Sequence, residues 1–346
     1  MFYLSYRPKT ISELDNTQVK SRITHLLKPD NVPHAMLFVG GKGMGKTSTA
    51  RIIAKAINCL ENSFAGKGES IEPCNTCSNC VSIDAGSSPD VIEQDAASNR
   101  GIDEVRKLIK ESAFAPMTGR YRVYIIDEAH MITNDAFNAL LKTLEEPPQS
   151  VVFMLATTNE EKVPKTIISR CVRVPFGKAK PSDIEGMVTR IATHEKLEIS
   201  AELKKFISEN SDNSFRDAAK LLEELITQEA LDVTKAQQLI GQHGKQNFLE
   251  VLKAGELSKS MEWIQSYVEH GGNIKLLIES LLHTLHEQLL LKSKVTGVET
   301  VDLGLSLREI TQLMKALQEA YDLLRISPIE SLPLEIAIVE FYNDKK

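Results

Sequence analysis

Short apolar runs alternate with stretches of helical period through the first half of the chain. The runs are Ala35 to Val39, Asp90 to Asp95, Val123 to Asp127, Val151 to Thr157 and Cys171 to Phe176. Five strands of that length, separated by amphipathic helices, require crossover connections, so they predict a parallel sheet covered on both faces. An α/β domain over residues 1–176 is expected. After Gly177 the strand signal disappears, and Pro181 to Ile240 reads as short helices capped at Ser200 and Asn213, a small helical domain over 177–241. From Lys245 onward the helices lengthen into a third region, 242–346. There Ile274, Leu277, Leu281 and Leu285 share one face, as do Leu307, Ile310, Met314, Leu317, Tyr321 and Leu324. A last helix, Leu332 to Tyr342, carries Pro333 in its first turn, where a missing N–H is harmless. Periodicity leaves open whether these helices form an isolated bundle or pack against copies of themselves.

Composition narrows the class. A length of 346 residues suits two or three domains at roughly 150 residues each. With 42% hydrophobic and 25% charged residues the chain is ordinary globular material, which excludes a disordered or fibrous protein. No apolar run reaches the roughly 18 residues of a membrane span, and Met1 to Thr10 mixes Arg7, Pro8 and Lys9 with aromatics. A soluble, cytoplasmic protein without a membrane partner is expected. The net charge of −6 argues against a uniformly basic nucleic-acid binder. Residues 1–60 nevertheless hold nine Lys or Arg against three Asp or Glu, so one end can face an anion, although solvated helix faces of different sign would give the same count.

Four of the five cysteines, Cys59, Cys74, Cys77 and Cys80, fall within 22 residues, and Cys171 stands apart. An odd count without a secretory signal disfavours disulfides, whereas Cys-x14-Cys-x2-Cys-x2-Cys supplies four soft ligands for one tetrahedral Zn²⁺. Four thiolates close the coordination sphere, so such a site is structural. The segment lies between the first sheet helix and the second strand and reads as a surface insertion.

Gly40-Gly41-Lys42-Gly43-Met44-Gly45-Lys46-Thr47 fits G-x4-G-K-[ST] and sits between the strand Ala35 to Val39 and a helix predicted over Ser48 to Asn58. Gly40, Gly43 and Gly45 let backbone N–H groups curl around phosphates, and the helix N-terminus at Ser48 adds positive potential. Lys46 can reach the β and γ phosphates of ATP, and Thr47 can ligate Mg²⁺. The strand Val123 to Ile126 runs into Asp127-Glu128-Ala129-His130, which supplies Asp127 for the Mg²⁺ shell and Glu128 to polarise an attacking water.

That acidic pair, with Phe137-Asn138-Ala139-Leu140-Leu141-Lys142-Thr143-Leu144-Glu145-Glu146-Pro147-Pro148, Leu155-Ala156-Thr157-Thr158-Asn159 and Ser169-Arg170-Cys171, resembles the AAA+ clamp-loader ATPases, in particular the gamma/tau family of bacterial DNA polymerase III. Tyr6-Arg7-Pro8-Lys9-Thr10 matches that family's opening signature, and Ser331 to Glu340 looks like the end of its collar domain. The resemblance implies an AAA+ P-loop NTPase domain with a zinc insertion at about 59–80, a helical lid domain and an all-α collar. It also assigns roles that spacing does not. Thr158, with Asn159 as a rival, looks like the sensor between P-loop and water. Arg216 looks like the lid sensor that reaches the nucleotide, from a helix capped by Asn213 or Ser214; a surface ion pair with Asp217 or Glu223 is the plainer alternative. Arg170 looks like a finger directed at the ATP of an adjacent subunit, against the plainer reading of a solvated charge beside Arg173. Cys171 then needs no role beyond packing.

The function implied is ATP hydrolysis that opens a sliding clamp and loads it onto primer-template DNA without sequence readout, in company with other loader subunits held through the collar and Arg170. Basic groups in residues 1–60 and around Asn99-Arg100-Gly101 are placed to track DNA phosphates. A non-hydrolysing stator subunit would have a degraded P-loop, and the P-loop here is complete. A small-molecule phosphotransferase has no use for the cysteine knuckle, and a branch-migration motor has no use for that insertion or the long terminal helices. Members of the family often continue past the collar into a flexible linker and a polymerase- and helicase-binding region. With the last residues at Asn343-Asp344-Lys345-Lys346, tethering by this chain is not expected.

Overall fold

The computed structural model describes residues 1–239, 248–249, 251–253, 255–269, 274–293 and 303–343. It divides into two compact units, Met1–Leu231 and Asp232–Lys346.

The first unit runs α1 (Phe2–Ser5), α2 (Thr17–Leu26), β1 (Ala35–Val39), α3 (Lys46–Asn58), α4 (Ser78–Asp84), β2 (Val91–Asp95), α5 (Ile102–Ser112), β3 (Arg122–Asp127), α6 (Asn134–Glu145), β4 (Val151–Thr157), α7 (Lys165–Ile168), β5 (Val172–Pro175), α8 (Pro181–His194), α9 (Ala201–Glu209) and α10 (Phe215–Thr227). The five strands form one sheet in the order β2-β3-β4-β1-β5, and every pairing is parallel. All seven residues of β4 are buried, as expected for an apolar strand in mid-sheet with both faces covered. Tyr124, Phe153 and Leu155 on the sheet pack with Leu108 of α5 and Phe137 and Leu140 of α6 in one apolar core.

Register brings the chemistry together. Val39 at the end of β1 pairs with Thr157 at the end of β4, and Ile126 of β3 pairs with Leu155 of β4. The C-terminal ends of these three neighbouring strands therefore lie side by side, where ligands of open parallel sheets bind. The N–H of Gly40 donates to the Thr157 carbonyl at 3.2 Å, so the loop after β1 starts against the end of β4.

Three expected strand ends move inward. Asp90 precedes β2, and its buried carboxylate accepts the N–H groups of Met117, Thr118 and Gly119 at 2.6–2.7 Å. Cys171 and Phe176 flank β5, and the Phe176 ring meets Phe38 edge-on at 5.8 Å.

Helices α8 to α10 belong to this first unit and bury Ile184, Leu203, Phe206, Leu222 and Leu225. The start of α2 and the residues just before it fasten α8. Asp15 pairs with Arg190 at 2.8 Å, and the Thr17 hydroxyl donates to Asp183 at 3.1 Å. Ser200 caps α9 by accepting the Leu203 N–H. The cap of α10 is Ser214, which accepts the Asp217 N–H at 3.3 Å, and not Asn213, whose φ of 53° is left-handed and lies outside a cap's extended range.

The second unit holds α11 (Val233–Leu239), α12 (Leu257–Glu269), α13 (Ile274–Lys292), α14 (Leu307–Leu323) and α15 (Leu332–Asn343). Ile274, Leu277, Leu281 and Leu285 are buried as expected, in one cluster with Ile310, Leu317, Leu334 and Ile338. Leu307 departs from the expected face: it is half exposed, because it is the first residue of α14, beside the Ser306 and Glu309 capping box, and the buried stripe begins one turn later at Ile310. The expected starts and ends at Ile240 to Lys245 lie outside the described residues.

Candidate nucleotide site and cysteine knuckle

The loop Gly40–Gly45 leads from β1 into α3, whose N-cap is Gly45 at φ 86°. A side chain at Gly45 would be strained by that backbone alone. Gly43 is also left-handed, at φ 78°, and a Cβ there would come within 2.1 Å of the Ser214 hydroxyl. Helix α10 thus starts against the glycine-rich loop, and the Arg216 N–H faces the Gly43 carbonyl at 3.4 Å. Gly40 is needed for a different reason, since a Cβ would lie 2.7 Å from Cβ of Phe176.

Beside this loop lies a cleft of about 260 Å³, lined by Gly43, Gly45, Lys46, Thr47 and Ser48 and by Arg216 opposite. Lys46 is buried, and its ammonium donates to the carbonyls of Gly40 and Gly41 at 2.8 and 2.7 Å. Burial lowers its pKa, while the charges of Glu128 and Asp127 pull it back up. Thr47 donates its hydroxyl to Asp127 Oδ2 at 2.6 Å, so the two groups expected to share a Mg²⁺ already touch. Glu128 follows at φ 47°, a conformation unusual for a side-chain-bearing residue, and it turns the carboxylate out of the strand direction. Its Oε2 accepts the Thr158 hydroxyl at 3.1 Å and lies 3.4 Å from His130 Nδ1, which also faces the Thr157 hydroxyl at 3.2 Å. Thr158, not Asn159, meets the acid; the Asn159 backbone closes a small turn with the Thr157 hydroxyl.

The N-terminal segment and α8 supply further walls of the cleft. Tyr6, Arg7 and Pro8 line the cleft, and so do Met187 and Ile191 of α8, an apolar surface beside a cationic floor. For Tyr6, Arg7 and Pro8 the signal in the sequence was the opening signature, whose spacing carries no geometric reason; Met187 and Ile191 had none. Arg51 also faces the cleft but is neutralised by a two-pronged pair with Glu93 of β2, at 2.6 and 2.7 Å.

Arg170 is not among the residues lining this cleft. Its guanidinium pairs with Glu145 at the end of α6, donates to the Thr166 carbonyl at 2.7 Å and borders a separate depression with His34, Leu144 and Ser169. Arg173 pairs with Glu160. Cys171 sits next to these arginines, and burial pushes its thiol up to about 12, far from a nucleophile's range.

The sulfurs of Cys59, Cys74, Cys77 and Cys80 lie within 4.8 Å of one another. Backbone N–H groups point at them: Cys77 N to Cys74 Sγ at 3.2 Å and Cys74 N to Cys59 Sγ at 3.4 Å. Burial raises Cys59 and Cys80, whereas at Cys74 it is outweighed by hydrogen bonds from Thr76 and Cys77, which bring the thiol down to about 6. A cluster of thiols with donors aimed at sulfur is the environment of a metal-bound thiolate set, so these residues fit zinc. The knuckle is anchored to α3 by Lys55, which donates to Asn75 Oδ1 at 2.7 Å and pairs with Asp84 at 2.8 Å.

The structure of the Thermotoga maritima RuvB Holliday junction branch migration motor superposes with a TM-score of 0.50 at 16% identity, covering 82% of this chain and 86% of that one. A family model for the DNA polymerase III delta subunit matches residues 15–180. This chain and the RuvB motor share a fold, here a parallel five-stranded sheet with a helical C-terminal region. DNA polymerase III subunit tau of Bacillus subtilis is 37% identical over 341 residues, which is 94% of this chain and 59% of that protein. DNA polymerase III subunit gamma/tau of Mycoplasma genitalium is 31% identical over 364 residues, 100% of this chain and 60% of that protein. Over nearly its whole length the chain is thus similar to gamma/tau subunits of DNA polymerase III, and it spans about three fifths of the length of these curated relatives. Among the described residues no helix is long and apolar enough to cross a membrane.

Proposed function

We propose that this chain is an ATP-hydrolysing subunit of a bacterial replicative clamp loader, a cytoplasmic machine that opens a sliding clamp and places it on primer-template DNA. The observation that carries the reading is the convergence of Lys46, Thr47, Asp127, Glu128 and Thr158 on one cleft at the ends of β1, β3 and β4. In a stator subunit the phosphate loop has no use for this set.

ATP would lie with its phosphates along the loop N–H groups of Gly43 to Ser48, which form an anion cradle at the N-terminus of α3. The Lys46 ammonium, now on the Gly40 and Gly41 carbonyls, would transfer its hydrogen bonds to the β and γ phosphates. Thr47 and Asp127 would hold Mg²⁺, which when bound neutralises charge on the phosphoryl oxygens. Glu128 would take the proton of the attacking water, and the Thr158 hydroxyl on Oε2 fixes the rotamer from which it does so. Arg216 would contribute positive charge from the lid.

The position of Arg170 outside its own cleft supports a role in trans, on the ATP of an adjacent subunit held through the C-terminal helices. Glu145 holds the guanidinium in the isolated chain. Zn²⁺ would be held by Cys59, Cys74, Cys77 and Cys80 as a structural ion. Basic groups in residues 1–60 and at Arg100 support backbone contacts to DNA. Loading of a labelled sliding clamp onto primed circular DNA by the assembled complex tests the reading. ATP-dependent loading that disappears with a Lys46→Ala subunit is expected, and loading that proceeds without ATP would refute it.

A further inference from the structure

We propose that Tyr3 is a positioning residue for Arg216, holding the lid guanidinium at the nucleotide cleft through the face of its ring. The inference rests on the reading of Arg216 as a nucleotide contact. An arginine in the first turn of a helix ordinarily finds a carboxylate or swings into water. Among the described residues no carboxylate stands within ion-pair distance of Arg216. The two candidates next to it are engaged elsewhere: Asp217 lies 3.8 Å from Lys220, and Glu223 accepts the Phe2 N–H at 3.0 Å. What Arg216 meets instead is the Tyr3 ring, with the guanidinium carbon 5.5 Å from its centroid and the Lys220 ammonium 5.7 Å from the same centroid.

Arg216 and Lys220 are four residues apart, so they share one face of α10, and a single ring serves both. The ring is itself held. Helix α1 is tied to α10 by the Phe2 to Glu223 bond, and the Tyr3 carbonyl accepts Arg7 Nε at 3.4 Å. Tyr3, Arg7 and Arg216 all line the cleft.

The choice of an aromatic partner has a chemical consequence. A carboxylate would neutralise the guanidinium, occupy its N–H groups and compete with a phosphate for them. A π face attracts the cation from the side, leaves its in-plane donors open and keeps the full charge for an anion. It also opposes repulsion from neighbouring cations, since Arg7 and Lys46 face the same cleft. Contrast Arg51, whose pair with Glu93 leaves it little to offer a phosphate.

Equilibrium titration of the full chain with Mg-ATP tests the inference on five proteins: wild type, Tyr3→Phe, Tyr3→Leu, Arg216→Ala and the double variant Tyr3→Leu/Arg216→Ala. Tyr3→Leu is expected to weaken affinity by about three- to tenfold, and Tyr3→Phe, which keeps the π face, to stay within about twofold of wild type. In the Arg216→Ala background the Tyr3→Leu change is expected to have no further effect. If Arg216→Ala weakens binding while Tyr3→Leu does not, the inference is overturned and the role of Arg216 stands. If Tyr3→Leu costs as much without Arg216 as with it, the ring acts by packing alone and the inference is again overturned. Normal affinity in Arg216→Ala overturns the role of Arg216 and this inference with it. Thermal midpoints for all five proteins separate a folding defect in Tyr3→Leu from a binding defect.

Discussion

The Thr158 hydroxyl donates to Glu128 Oε2 at 3.1 Å, joining the end of β4 to the acid beyond β3. The Glu128 carboxylate is thereby fixed by a neighbouring strand and not by its own. With Glu128 at φ 47°, the contact defines where the carboxylate points before nucleotide arrives.

Lys46→Ala and Glu128→Gln are expected to fail at different stages. Lys46 is proposed to meet ground-state phosphates, so its loss should abolish nucleotide binding. Glu128 matters when water attacks, so Glu128→Gln retains ATP affinity while turnover falls by about two orders of magnitude or more. Equilibrium binding and steady-state hydrolysis of the assembled complex check both, and normal turnover by Glu128→Gln would remove Glu128 from the base role.

One zinc per chain is expected, bound by Cys59, Cys74, Cys77 and Cys80. Structural zinc contributes roughly 10 to 16 kcal/mol in isolated peptides, but this knuckle sits outside the sheet, joined to α3 by Lys55. Chelation should therefore unfold residues 59–80 while leaving the sheet mostly intact, read by hydrogen exchange. Elemental analysis without zinc in freshly purified protein would contradict the assignment.

Arg170→Ala should leave ATP affinity of the isolated chain nearly unchanged, because the side chain lies on Glu145 and outside the cleft. In mixed assemblies a normal P-loop beside an Arg170→Ala neighbour should lose about two orders of magnitude in turnover, while the variant's own P-loop works beside a normal neighbour. Equal activity in both arrangements would show that Arg170 does not act across an interface.

The Asp15 and Arg190 pair gives a pH signature. Burial pushes the Asp15 carboxyl up to about 6, against the pull of the Arg190 guanidinium. A carboxyl raised in the folded state takes up a proton there before the unfolded chain does. Its contribution to stability therefore grows as pH falls from about 6 towards about 4 and levels off below. The Asp15 carboxyl carbon should titrate near 6 by NMR, and Asp15→Asn should flatten that part of the stability profile. A midpoint near 4 would contradict it.

Much of the chemistry was legible because it is local. Gly40 to Thr47, the pair Asp127-Glu128 and the doubled Cys-x2-Cys spacing need no knowledge of distant contacts, and each sits where its strand or helix puts it. The five strands were legible from apolar runs, but their order was not, because β1 pairs with β4 and β5 through contacts more than a hundred residues apart. For the same reason Asp90 read as a strand residue, although it is a carboxylate that holds Met117 to Gly119. Tyr3 beside Arg216, and His130 beside Glu128 and Thr157, depend on how separate segments dock, which no periodicity encodes. Leu307 fitted a helical stripe that capping geometry begins one turn later.

If this cleft hydrolyses ATP under the control of clamp and DNA, steady-state ATP hydrolysis by the assembled complex will show it. The rate measured alone, with sliding clamp, and with clamp plus primed DNA should rise in the last condition and vanish there when the subunit carries Lys46→Ala. A rate indifferent to clamp and primed DNA, or one that survives Lys46→Ala, would contradict it.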